Sequence, residues 1–146
     1  SDILISRRSL NYEGSAKPCL IPESDEPLIY ESSLIRVRPN PDMVNTLFLF
    51  FYLSNERARS KYIFKHVTRS TISGINNKGL NSIQVYLPPL QWQEEFANAI
   101  IGIRDQIGQV KANMIKSDNL FQSLLQKAFK GGAAFRELGK EEQEFV

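Results

Sequence analysis

Pro88-Pro89-Leu90-Gln91-Trp92-Gln93-Glu94-Glu95-Phe96 opens the stretch that decides the fold, which runs on without another proline to Lys130-Gly131-Gly132. Within it, apolar residues fall at Phe96, Ile100, Ile103, Ile107, Val110, Met114, Phe121, Leu124 and Ala128, with Ser117 as one polar interruption. The gaps alternate between four and three residues. That is the heptad period, which turns one stripe of an α-helix toward a partner helix. Glu94 and Glu95 fall in the first turns, where the helix dipole favours acids. The spacing predicts a helix over 91–130 that would span roughly 60 Å and stop at Gly131-Gly132. Gly102 and Gly108 lie off the seam and weaken the helix by about 1 kcal/mol each relative to Ala. Alone in water, such a helix would expose its whole seam, so it requires a partner: a second copy of this chain or another protein. Residues 131–146 carry four Glu and little periodicity, and are expected to form a flexible tail or a short surface helix.

Upstream, the pattern changes to short β segments. Asp2 to Ser6 reads as a buried strand, and Arg7 to Lys17 as a polar loop. Cys19 to Ile21 resumes β character until Pro22. Leu28-Ile29-Tyr30 and Leu34 to Arg38 read as two more strands, the second with one wet face, and Pro39-Asn40-Pro41-Asp42 is a stop. From Met43, the apolar residues Val44, Leu47, Phe48, Phe51 and Tyr52 predict a short, deeply buried helix. Ser54 is the expected N-cap of a second helix that buries Ala58, Tyr62 and Ile63 and shows Arg57, Lys61 and Lys65 to solvent. Val67 to Asn81 is irregular, and Ile83 to Leu87 alternates as a last strand before the prolines. The fold class is therefore α+β: a small mixed α/β domain over 1–90, followed by one long coiled-coil-forming α-helix over 91–130.

Composition bounds the function. The chain has 146 residues with 42% hydrophobic and 23% charged, in the globular range. The single Cys19 excludes an internal disulfide framework and points to a reducing, cytoplasmic setting. The longest apolar run, Leu47 to Leu53, is too short for a membrane span, so no membrane partner is expected. The chain lacks an initiating Met, which leaves a removed or truncated N-terminus open. Net charge is only +2, but residues 57–78 hold Arg57, Arg59, Lys61, Lys65, Arg69 and Lys78, together with His66, and no acid. Such a cluster suits a phosphate footprint, and it equally describes a solvated helix face with a polar loop.

Catalytic constellations are wanting. One His and one Cys support neither a zinc site nor a Cys–His nucleophile. Neither a Walker A nor a G-x-G-x-x-G pattern occurs, and the acids are scattered. No metal, cofactor or catalytic residue is expected. His66 reads as a surface or DNA-facing residue. Two polar loops carry nucleic-acid-competent side chains instead. Arg7, Arg8, Asn11, Tyr12 and Lys17 form the first; Lys65, Thr68, Arg69, Ser70, Thr71 and Lys78 belong to the second. Arg suits guanine O6/N7, Asn suits adenine N6/N7, and Ser, Thr and Lys suit phosphates. Ordinary turn chemistry accounts for the same residue types.

The order of these parts resembles a known family. It is carried by the strand Asp2–Ser6 with Arg7 after it, Leu34-Ile35-Arg36-Val37-Arg38-Pro39, and the aromatic helix into Tyr52-Leu53-Ser54. Ser70-Thr71-Ile72 follows, with Ile75-Asn76 and Leu80, and then Leu87-Pro88-Pro89-Leu90-x-x-Gln93, the long seam and Ser123-Leu124-Leu125-x-x-Ala128-Phe129. In these respects the chain resembles the specificity subunit of type I restriction–modification systems. The resemblance implies that residues 1–90 are the C-terminal part of a target recognition domain that reads double-stranded DNA, and that 91–130 form a spacer helix. It also implies pairing of that helix, as a homodimer or with a second spacer. Methyltransferase subunits, which carry the S-adenosylmethionine, would dock there, and restriction subunits would join through the complex. The family's usual chain has two recognition domains and two spacers, so a fragment or a half-length subunit is expected here. Arg69 stands where the family often has a small residue. Two rival readings are an assembly scaffold whose basic patch is incidental, and a metal-dependent hydrolase or nuclease, which the lack of an acid cluster disfavours.

Overall fold

The computed structural model of the chain describes residues 2–141, with side chains described as far as Lys130. The chain divides into two units, Ser1–Ala99 and Ile100–Val146. The strands are β1 (Ile3–Ser6), β2 (Arg8–Ser9), β3 (Pro18–Leu20), β4 (Leu34–Val37) and β5 (Ser73–Gly74). The helices are α1 (Thr46–Ser54), α2 (Glu56–Ala58), α3 (Asn77–Asn81) and α4 (Leu90–Glu141).

In the first unit, β1 is the middle strand of an antiparallel sheet ordered β3-β1-β4. Ile3 stands opposite Leu20 on one side and Val37 on the other, and Ile5 opposite Pro18 and Ile35. The period of two turns Ile3, Ile5 and Ile35 to the core, where they meet Leu49 and Leu53 of α1 and Ile63, Val67 and Ile75 beyond it. Ile3 and Ile5 are essentially fully buried, which stabilises the fold by roughly 2 kcal/mol each. Asn45 caps α1 by accepting from the amides of Leu47 and Phe48.

Several sequence expectations are corrected. Leu28-Ile29-Tyr30 forms no strand: Ile29 is 98% exposed, and the segment belongs to no ladder. These three apolar residues follow Pro27 and pair with no strand, since propensity alone does not make a sheet. Ile83 to Leu87 is likewise outside any ladder, although Ile83 and Val85 alternate with exposed Gln84 and Tyr86 and pack on the core. In α1 the buried face is Leu49 and Leu53, while the aromatic residues are half-buried, because α1 is apolar all round and only tertiary contacts choose its inner face. The second helix is capped by Asn55, not Ser54: Ser54 is still helical and its hydroxyl donates to the Phe50 carbonyl. That second helix is short and passes through a π turn, Arg59–Ile63, and a 3₁₀ turn, Phe64–His66. It buries Ala58 and Ile63, half-buries Tyr62, and exposes Arg57, Lys61 and Lys65, as its spacing predicts.

Helix α4 is fastened into this unit at its start. Gln93 is completely buried. Its Oε1 accepts the Asn45 amide at 3.0 Å, and its Nε2 donates to the carbonyls of Pro88 at 2.8 Å and Met43 at 3.2 Å. Ala97, one turn on, is also buried. Phe96, the first residue of the expected seam, is 38% exposed and also sets its ring edge-on against Phe48 and Phe51 of α1, at 5.8 and 5.7 Å between centroids. The first turns of α4 pack on their own domain, so Phe96 is part of that packing.

The second unit is the continuation of α4. The helix passes through Gly131-Gly132 and runs to Glu141 instead of stopping there. Two glycines cost about 2 kcal/mol in a helix, and Ala133 and Ala134, the best helix formers, follow at once. The last residues of the expected tail, 142–146, lie outside the described residues. From Ile103 on, the seam is bare: Ile103, Ile107, Val110, Met114, Phe121 and Leu124 are 49–62% exposed. Among the described residues no helix is long and apolar enough to cross a membrane.

Two outcomes follow from this packing. Gln93→Leu leaves the Asn45 amide and two carbonyls without partners in a dry site, and is expected to lower stability by roughly 2–4 kcal/mol; a urea midpoint close to wild type would refute the clamp. At the domain's other end, Arg38 donates twice to the Asp2 carboxylate at 2.9 Å, with Arg36 at 3.8 Å. The bonds from Arg38 hold the Asp2 carboxyl below its ordinary value. A depressed carboxylate stabilises the fold above its unfolded pKa of about 3.9 and ceases to as pH falls through the lower folded value. The stability gap between wild type and Asp2→Asn, read from urea titrations, should therefore be present at pH 7 and shrink steadily in acid.

Candidate nucleic-acid interface

Two loops far apart in sequence meet on a ladder two residues long. In β2 and β5, Arg8 stands opposite Gly74 and Ser9 opposite Ser73. The Arg7 carbonyl accepts the Ile75 amide at 2.9 Å, and the Arg7 amide donates to the Ser33 carbonyl at 2.8 Å. A Cβ at residue 74 would sit 2.8 Å from the Arg7 carbonyl oxygen. Only glycine permits that approach. Thr68 closes the second loop by exchanging backbone bonds with Gly74 at 2.8 and 3.2 Å. The Ser70 hydroxyl pins the tip by donating to the Ile72 carbonyl.

The result is a groove lined by Arg7, Arg8, Thr68, Ser70 and Asn76, so four of the residues expected at the interface share one surface. Arg7 is half-buried there. Its Nη2 reaches Asn77 Oδ1 at 3.5 Å, a long contact, and its Nε is buried with no partner among the described residues. A guanidinium held by its backbone and underpaired at its head is suited to an anionic or acceptor-rich ligand. Asn77 belongs to the second polar loop, between Asn76 and Lys78, but is not among the residues that the sequence singles out there.

The other expected residues are placed differently. Asn11 Oδ1 accepts from the Gly14 amide at 2.8 Å and the Ser9 hydroxyl at 3.0 Å, capping the turn Tyr12–Gly14. Its acceptor is thus engaged by turn chemistry, and a two-bond reading of adenine would have to displace it. Tyr12 donates its hydroxyl to the Phe64 carbonyl at 2.8 Å. Lys17 lines a separate cleft with Glu13, Phe50 and Arg57. Lys65, Thr71 and Lys78 are exposed, Lys78 on α3 beside Asn77. His66 is half-buried, with Nε2 turned inward and unpartnered among the described residues, rather than presented outward.

Arg59, counted by sequence in the basic cluster of residues 57–78, is buried. It donates to the carbonyls of Ala16, Glu13 and Ser15 at 2.7–2.9 Å. Burial draws its pKa below the ordinary guanidinium value, and the three carbonyls compensate the charge. They also hold the bend at Ala16, whose φ of 55° is left-handed and costs about 1 kcal/mol or more for a residue with a Cβ. Above Arg59 the side chains stack. Its guanidinium lies 4.9 Å from the Phe64 ring, Phe64 lies 4.8 Å from Tyr12, and the guanidinium of exposed Arg69 covers Tyr12 at 4.2 Å. Among the described residues, no group of three or more His, Cys, Asp or Glu side chains is placed to hold a metal ion.

The type I restriction modification DNA specificity domain model matches residues 1–116. The protein named as the specificity subunit of the type I restriction enzyme MjaX, from Methanocaldococcus jannaschii, is 25% identical over 133 residues, which cover 90% of this chain and 31% of that protein. The specificity subunit of the type I restriction enzyme EcoKI, from Escherichia coli K12, is 33% identical over 108 residues, covering 71% of this chain and 23% of that protein. The chain thus spans less than a third of the length of either relative. No solved structure matches it. The small mixed domain, the long helix and the extent of the family match together place the chain in the family of type I restriction–modification DNA specificity domains.

Proposed function

We propose that the first unit recognises one half of a bipartite double-stranded DNA site, and that α4 is a spacer that pairs with a second helix and sets the distance to the other half. The observation that carries the DNA reading is the convergence of both polar loops on the β2–β5 ladder, with the Arg7 guanidinium underpaired in the groove between them. Arg7 and Arg8 are the central DNA contacts. Arg69, Thr68, Ser70 and Thr71 flank them, Lys78 lies on α3, and Lys17 and Lys65 contribute charge to backbone phosphates. The chain has no chemistry of its own in this reading. Methyltransferase subunits bearing S-adenosylmethionine dock on the helix, and restriction subunits join through them.

The bare seam supports the spacer role. Six large side chains from Ile103 to Leu124 are about half exposed along one stripe, more apolar surface than a helix leaves wet without a partner. A second copy of this chain, paired antiparallel, is the partner proposed.

Anisotropy titrations of a labelled mixed-sequence 30-bp duplex over a range of salt test the groove. Arg7→Ala and Arg8→Ala should each lower the slope of log affinity against log salt by about one unit. Unchanged affinity and slope in both would remove the assignment. Light scattering on Ile103→Asp/Ile107→Asp tests the seam: the double variant should be monomeric where wild type is a dimer, and selection from a random duplex library should then yield no bipartite site. A monomer that still selects a bipartite site would end the spacer role; a dimer with no salt-dependent DNA binding would favour the scaffold.

A further inference from the structure

The four-layer stack of Arg69, Tyr12, Phe64 and Arg59 joins a buried anchor to an exposed cation. At its inner end, Arg59 is fixed by three backbone carbonyls and closed off from solvent. Phe64 rests on it, and the Phe64 carbonyl accepts the Tyr12 hydroxyl, so the Tyr12 ring is held both by its face and by its tip. At the outer end, Arg69 is exposed, and neither a hydrogen bond nor an ion pair joins its side chain to a described residue. Its backbone is pinned on both sides, by the Thr68–Gly74 bonds before it and the Ser70–Ile72 bond after it.

A guanidinium lying on an aromatic face keeps its N–H donors in its own plane, directed away from the ring. The Arg69 guanidinium carbon lies over the Tyr12 ring at 4.2 Å, so the ring supports the exposed fork on the loop that lines the groove. A planar fork with free donors fits two oxygens of one phosphate. We infer that Tyr12 is a positioning residue, not a DNA contact: it holds Arg69 ready to take a backbone phosphate, with Phe64 and Arg59 as its support. This rests on the DNA-recognition reading above. It differs from the sequence expectation, in which Tyr12 itself touches DNA.

The test is a set of variants on the full chain: Arg69→Ala, Tyr12→Phe, Tyr12→Leu and the double variant Tyr12→Leu/Arg69→Ala. Each is titrated against the same mixed-sequence 30-bp duplex over a range of salt, with folding checked by thermal melting. Arg69→Ala should lose about eightfold in affinity at 0.1 M salt and about one unit of salt slope, the signature of one phosphate contact. Tyr12→Phe keeps the ring and should stay within about twofold of wild type. Tyr12→Leu should keep the slope, because the charge remains, and lose roughly two- to fivefold through looser positioning. In the double variant, the Tyr12 change should add nothing to Arg69→Ala. Losses that multiply in the double variant would overturn the inference, since Tyr12 would then act independently of Arg69. If Tyr12→Leu does not fold, Arg69→Lys decides instead: it keeps the charge but not the planar stack, and wild-type affinity there would overturn the inference. If Arg69→Ala binds as wild type while Arg7→Ala does not, this inference alone falls. If wild type itself does not bind the duplex, the DNA reading falls and this inference with it.

Discussion

Gln93 sits where no water reaches it, with one carboxamide serving three backbone groups that would otherwise be buried unpaired. Those groups belong to the segment before α1, to its cap residue Asn45, and to the proline turn that launches α4. A single side chain therefore sets where α1 begins and where α4 leaves the domain. The Pro88-Pro89 pair suits this place. Proline brings no amide of its own to satisfy, and the Pro89 carbonyl is free to accept the first helical amides, those of Trp92 and Gln93. The spacing Pro88-Pro89-Leu90-x-x-Gln93 thus has a mechanical meaning: the glutamine returns, one turn into the helix, to the carbonyl of the proline that preceded it.

Downstream of the clamp, α4 changes character. Gln93, Phe96 and Ala97 face the domain's own packing, while from Ile103 onward the apolar stripe faces solvent. One continuous heptad stripe is packed at its start and bare beyond, and the boundary between the two is invisible in the periodicity. In water the bare stripe is a standing unfavourable term that pairing with another helix removes. The glycines at 102 and 108 would meet no atom if given a Cβ, so they are not close-contact positions within the chain.

On the other side of the domain, polar chemistry does what a larger core would do elsewhere. Arg59 is buried against three carbonyls and holds the first loop in shape, including the left-handed turn at Ala16. The same guanidinium underlies the aromatic pair on which Arg69 rests. Loop geometry and surface charge are thereby tied together through stacked side chains, rather than through a sheet or a helix. The β2–β5 ladder brings the two loops into register with only a handful of backbone bonds, and Gly74 makes the approach possible.

Much of the plan is legible in the residues alone. The long helix follows from an unbroken period and the proline pair before it. The strands at Ile3–Ser6, Pro18–Leu20 and Leu34–Val37 follow from alternation and turn residues, and both polar loops stand out by composition. All of these are local signals, written in neighbours a few positions apart. What the residues alone mislead about is decided by distant partners. Leu28-Ile29-Tyr30 has strand propensity but pairs with no strand. Arg59 and Arg69 are the same residue type in one basic cluster, yet one is buried against carbonyls and the other exposed on a tyrosine. Tyr12 and Asn11 have side chains competent for DNA, yet the Tyr12 hydroxyl and the Asn11 Oδ1 are engaged within the fold. A two-residue ladder has no period to detect, so the meeting of the loops is written only in three dimensions. Periodicity determines which segments become helix and strand; burial and pairing across the chain determine which of their polar groups remain free to bind anything else.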